Sequence, residues 1–92
     1  MIPILKGEIY WANLNPTVGS EISKSRPVLI ISNNINNQYS ATVSILPITS
    51  TTTKIYPFEV FLATGEGTLR NDSKIKANQI RSTNKDWEIE SA

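Results

Sequence analysis

The chain of 92 residues contains neither cysteine nor histidine. Without cysteine there are no disulfides, no thiolate metal sites and no cysteine nucleophile. Without histidine the commonest zinc ligand and the usual general base at neutral pH are gone. Any catalysis must use carboxylates, arginine, lysine, hydroxyls, amides or backbone. Long apolar runs are missing too: Val28-Leu29-Ile30-Ile31 is typical at four residues, against the ~20 needed to cross a bilayer. The start, Met1-Ile2-Pro3-Ile4-Leu5-Lys6, has no apolar stretch of signal-peptide length. A cytoplasmic protein is expected. Charge is sparse and balanced, with nine Lys+Arg against eight Asp+Glu, so the composition is not that of a disordered polyelectrolyte. Length leaves room for one domain, residues 1–92, with 84–92 as a short acidic tail.

Within that balance the charge is divided. Residues 1–82 hold eight basic and five acidic residues, a net +3, and the last ten hold Lys85 against Asp86, Glu88 and Glu90. A body at +3 permits a phosphate-bearing ligand without demanding one.

Ser, Thr and Asn supply 28 residues and cluster between the apolar runs, where their side chains favour turns and strand ends over helix. The runs are short and rich in β-branched residues. Strands are expected at Ile9–Ala12, at Val28–Ile31, and from Ala41 to Leu46 with a stop at Pro47. Another is expected over Phe58–Leu62, with one wet face, and a weaker one over Ile75–Ile80. The continuous run at 28–31 predicts a strand covered on both sides. Only Asn34 to Ser40 offers a short, poor helix. The class is all-β, and five or more strands at this spacing predict a small barrel or a strongly curved sheet.

Three polar segments hold the candidate chemistry. The first, Gly19 to Arg26, joins the first two strands and ends in Arg26-Pro27, where proline biases Arg26 toward extended backbone. It reads either as an ordinary surface loop with an exposed ion pair or as a ligand loop. The second, Pro47 to Lys54, carries five successive hydroxyl residues from Thr49 to Thr53. It reads as a polar connection or as a phosphate-binding rim. In the third, Asn71 to Ser82, strand alternation places Lys74, Lys76 and Asn78 on one face. That face reads as the wet side of an edge strand, where lysines discourage aggregation, or as a binding surface.

Taken together, the motifs resemble the MazF/PemK-type toxins. The resemblance runs through Gly7-Glu8-Ile9-Tyr10-Trp11-Ala12, Pro16-x-x-Gly19-Ser20-Glu21, and Arg26-Pro27-Val28-Leu29-Ile30-Ile31-Ser32-Asn33. It continues through Pro47-Ile48-Thr49-Ser50, Tyr56-Pro57-Phe58-Glu59-Val60 and Asn78-Gln79-Ile80-Arg81-Ser82, covering roughly residues 6–83. It implies an SH3-like barrel of the CcdB/MazF type and a homodimer. It also implies an endoribonuclease that cuts single-stranded RNA with no metal and no cofactor, blocking translation, and an antitoxin whose acidic C-terminal tail covers the RNA groove. By the same resemblance Arg26 and Thr49 act at the scissile phosphate, with Glu21 as base or loop organiser. Gly19, Ser20, Lys76, Asn78 and Gln79 bind RNA.

The chemistry is compatible with these residue types. The RNA's own 2′-hydroxyl can serve as nucleophile, leaving a 2′,3′-cyclic phosphate and a 5′-hydroxyl, and an arginine fork suits the phosphorane charge. Two departures stand out. Many relatives carry an acidic residue where this chain has Asn78, and some carry arginine where it has Lys76. Relatives usually continue into a C-terminal helix where this chain has Trp87 and Ile89 alternating with acids. That stretch reads as a short strand or an extended arm, either a frayed terminus or one with Trp87 packing on the barrel in a weakened dimer. Two other readings stay open: a non-catalytic barrel that only dimerises or binds antitoxin, and a topoisomerase-poisoning toxin of the same fold.

Overall fold

A computed structural model describes residues 3–13, 25–65, 69–85 and 89–90. Among them are β1 (Ile9–Asn13), β2 (Ser25–Ile30), α1 (Asn34–Tyr39), β3 (Thr42–Thr49), β4 (Glu59–Leu62), β5 (Ser73–Lys76), β6 (Arg81–Asn84) and β7 (Ile89–Glu90). The all-β expectation holds, and the runs at 9–12, 28–31 and 58–62 mark β1, β2 and β4 to within three residues. The run at 75–80 holds only the end of β5, then a turn at Ala77-Asn78, and stops just short of β6 at Arg81. The tail forms β7, whose Ile89 and Glu90 pair with Ala12 and Trp11 of β1. Trp87 lies outside the described residues.

Every pairing is antiparallel, in the order β4-β5-β3-β2-β1-β7, with β6 beside β3. Strand β3 is the hub, and it runs through Pro47 to Thr49 rather than stopping at the proline. The reason is local. Pairing with β6 ends at Ile45 and pairing with β5 begins at Ile48. Pro47, with no N–H to offer a ladder, falls in the gap where β3 changes partner. Among the described residues the sheet stays open rather than closing into a barrel. Its ends, β4 with four residues and β7 with two, are short, and no described pairing joins them.

Alternation along the strands distributes two apolar clusters. Tyr10, Ala12, Val28, Ile30, Val43 and Ile45 form one, against which Ile4 and Ile89 pack. Ile48, Leu69 and Ile75 form the other, with Ile9, Leu29, Leu46 and Leu62. Val28 and Ile30 enter the first while Leu29 enters the second, so β2 is covered on both sides as its unbroken apolar run predicts. Each buried Val or Ile contributes roughly 1.5–3 kcal/mol.

Helix α1 starts at Asn33, whose side chain accepts the Asn36 N–H at 2.8 Å, a cap that satisfies one orphan donor. It has no apolar stripe, and Ile35 and Tyr39 are exposed. Polar ties hold it instead. Buried Asn37 donates to the Ser32 carbonyl at 3.0 Å, and Lys85 Nζ donates to the Asn37 and Gln38 carbonyls at 2.8 and 3.1 Å.

Candidate functional site: a basic cleft and an adjoining charged face

The start of β2, the end of β3 and the segment leading into β5 meet around a cleft of about 540 Å³. Trp11, Ser25, Arg26, Ser50, Arg70, Asn71 and Ser73 are among its lining residues. The described lining contains two arginines and no carboxylate, so the cleft is disposed toward an anion. Arg70 was not picked out by sequence reasoning, because nothing in its own neighbourhood marks it. Only the fold of the segment around Asp72 brings it here. There Asp72 accepts from the Thr64 N–H and hydroxyl at 2.9 and 2.7 Å. These bonds, the hydroxyl's first, hold the Asp72 carboxyl below its ordinary pKa.

Arg26 and Thr49 share one face of the sheet. The β2–β3 register ends with Val28 opposite Pro47. Arg26 lies two residues before Val28 and Thr49 two after Pro47, and the two-residue period returns both to the same side. Arg26 is half-buried and Thr49 is only 8% exposed. The Thr49 Oγ1 accepts the Thr51 N–H at 3.3 Å, which fixes the exit of β3. A hydroxyl that accepts still has its own proton to donate. Directly opposite Thr49 in the next ladder stands Lys74, and Lys76, two residues on, faces Glu59 of β4.

Those lysines overturn the expected wet edge. Strand β5 lies between β3 and β4, and Lys74 is only 6% exposed. Its ammonium donates to Glu59 Oε1 at 2.9 Å and to the Lys54 carbonyl at 2.7 Å, while Lys76 stands 3.2 Å from Glu59 Oε2. In β4 the apolar pattern is kept only at Leu62, which packs on the second cluster, while Glu59 is buried and Phe58, Val60 and Phe61 are exposed. An inward charge on the terminal strand of a sheet discourages pairing with another chain, and here two lysines compensate it.

The Tyr56 N–H, donating to Glu59 Oε1 at 2.9 Å, is the main cause that lowers the Glu59 pKa from 4.5 to about 2, with the two lysines adding to it against the opposing effect of desolvation. A depressed folded-state pKa stabilises the fold fully above the unfolded value, and the contribution is lost as pH falls through the folded one. Glu59→Gln should therefore lower the melting temperature at neutral pH. It should also flatten the acid limb of the melting curve between about pH 4.5 and pH 2. A variant with the parent's acid limb would show that Glu59 does not govern it.

The strand period puts Arg26, Thr49 and Lys76 on one face, of which only Arg26 lines the cleft, and Asn78 and Gln79 fall beyond the end of β5. Strand β5 ends at Lys76, so Asn78 stands exposed in a turn, and Gln79 donates its N–H to the Lys76 carbonyl at 3.0 Å. The expected alternation of Lys74, Lys76 and Asn78 thus stops after two residues. Gly19, Ser20 and Glu21 lie outside the described residues.

Residues 5–90 match the family described as PemK-like, MazF-like toxin of type II toxin-antitoxin system. Endoribonuclease MazF9 of Mycobacterium tuberculosis is 37% identical over 82 residues, which make up 84% of this chain and 70% of that protein. Among solved structures, MazF from Deinococcus radiodurans matches with a TM-score of 0.85 at 28% identity, over 99% of this chain and 80% of that one. The MazE–MazF structure from the same organism matches with a TM-score of 0.71 at 30% identity, over 91% of this chain and 72% of the other.

Proposed function

Because the chain belongs to the PemK-like, MazF-like toxins of type II toxin–antitoxin systems, we propose that it is an endoribonuclease toxin acting on single-stranded RNA without a metal ion. The observation that carries this reading is the placement of Arg26 and Thr49 on one face, with Arg26 also lining a cleft that has a second arginine and no carboxylate. An RNA phosphate seated there meets charge of the right sign.

The reaction is a transesterification. The 2′-oxygen attacks the adjacent phosphorus as its proton leaves, the P–O5′ bond breaks, and the departing 5′-oxygen takes up a proton. The products are a 2′,3′-cyclic phosphate and a 5′-hydroxyl. Arg26 stabilises the negative charge that accumulates on the phosphoryl oxygens, where a guanidinium fork makes two charge-assisted hydrogen bonds. The Thr49 hydroxyl donates to one of the same oxygens. Glu59 is unsuited to the proton abstraction, being buried, ion-paired and held at a pKa of about 2, which leaves it a weak base. Asn78 takes no proton at neutral pH. We assign the proton abstraction to Glu21, five residues before Arg26 in the sequence.

The second solved structure above pairs a MazF with MazE. For this chain the corresponding partner is a cognate antitoxin with an acidic tail, matched to the +3 body by charge. The toxin itself would act as a homodimer. Incubation of a defined single-stranded RNA with the protein in EDTA tests the activity. Discrete fragments ending in 2′,3′-cyclic phosphate are expected. Intact RNA would leave a protein of this fold that only binds its antitoxin, or one that poisons a topoisomerase.

A further inference from the structure

The turn Tyr56-Pro57-Phe58-Glu59 precedes β4 and has no part in the chemistry above. The Glu59 N–H donates to the Tyr56 carbonyl at 2.9 Å, closing a four-residue turn with Pro57 at the position whose φ proline presets. The Glu59 carboxylate locks the turn a second time by accepting the Tyr56 N–H, and Lys74 and Lys76 anchor that carboxylate. This twice-closed turn stacks the Tyr56 and Phe58 rings, their centroids 5.4 Å apart and their planes 10° from parallel.

Rings that serve packing are normally buried, yet these are 41% and 48% exposed. Cations surround them: Lys54 Nζ lies 4.7 Å and Lys74 Nζ 5.7 Å from the Tyr56 centroid. The ammoniums of Lys54, Lys74 and Lys76 against the single Glu59 carboxylate leave a net +2. Exposed, preorganised aromatic faces beside positive charge suit a ligand that alternates flat rings with phosphates. An unpaired stretch of nucleic acid has that form. Position supports it as well, since Lys74 of this cluster stands directly across the ladder from Thr49.

We propose that the Tyr56–Phe58 stack is a nucleobase subsite, which holds one unpaired base of the RNA strand beside the scissile phosphate. Lys54, now over the Tyr56 ring, turns to that nucleotide's phosphate when the base arrives. The subsite rests on the reading of this chain as an RNA-cutting toxin, and it supplies affinity and register rather than chemistry.

The probe is a set of uncleavable 2′-O-methylated strands, each carrying 2-aminopurine at one position. The parent protein should quench the fluorophore at one or two neighbouring positions. Tyr56→Ala and Phe58→Ala should abolish that quenching and weaken binding by about 5- to 150-fold, the range for loss of one base–aromatic stack, while Tyr56→Phe retains both. Since both side chains are substantially exposed, the alanine variants should melt close to the parent. Quenching and affinity unchanged in folded Tyr56→Ala would overturn the subsite, even if the parent cuts RNA normally. Quenching that depends on Tyr56 in a protein that cuts no RNA would support the subsite and defeat the nuclease reading. A Tyr56→Ala protein that changes its sedimentation but not its quenching would assign the rings to a protein contact and overturn the proposal.

Discussion

Arg26→Ala should slow cleavage of a defined single-stranded RNA by on the order of 10²–10³, the scale of losing one donor that stabilises transition-state charge. The loss should fall mainly on kcat, because the phosphorane gathers charge that the ground-state phosphodiester lacks. Arg26→Lys should recover part of the rate, since an ammonium keeps the charge but not the two-pronged geometry. Arg26 is half-buried at the outer end of β2, beyond the last β2–β3 pair and outside both apolar clusters, so the alanine variant should melt within a few degrees of the parent. Initial rates on a fluorogenic RNA, with the melting curve recorded beside them, measure both quantities. A folded Arg26→Ala protein that cuts at the parental rate would remove this residue from the mechanism and leave Arg70 as the cleft's phosphate ligand.

Ile45→Ala should cost roughly 2–5 kcal/mol, the range for truncating a large aliphatic side chain in a packed core. In a domain of this size that lowers the melting temperature by on the order of 10–40 °C. Ile45 is fully buried and stands in the hub strand, opposite Ile30 on one side and Arg81 on the other. A cavity there loosens β2 and β6 together, so thermal unfolding should remain a single transition. Ile35→Ala, on the exposed face of α1, is the matched control and should change the melting temperature little. If the two variants melted alike, β3 would not be the strand on which the sheet depends.

The class of the fold and the place of Arg26 at the start of a strand were legible in the chain as written. Apolar runs such as Val28–Ile31 are local patterns, and strand identity follows from them whatever the partners turn out to be. The run at 28–31 even carried its own burial on both sides. The Arg26-Pro27 pair, too, announces an extended residue at the start of a strand. What failed were the inferences that needed a partner strand. Pro47 should end a strand by its own chemistry, yet β3 passes through it because β6 leaves and β5 arrives on either side of that residue. Lys74 reads as a solvated edge residue until β4 and β5 pair. Lys76 then stands opposite Glu59, and the carboxylate turns inward against the apolar alternation of its own strand. Arg70 has no local mark at all and reaches the cleft through the path of the chain around Asp72. Periodicity records which side of a strand a residue occupies. What lies on that side is decided by residues distant in sequence, and for Glu59 and Lys74 it was each other.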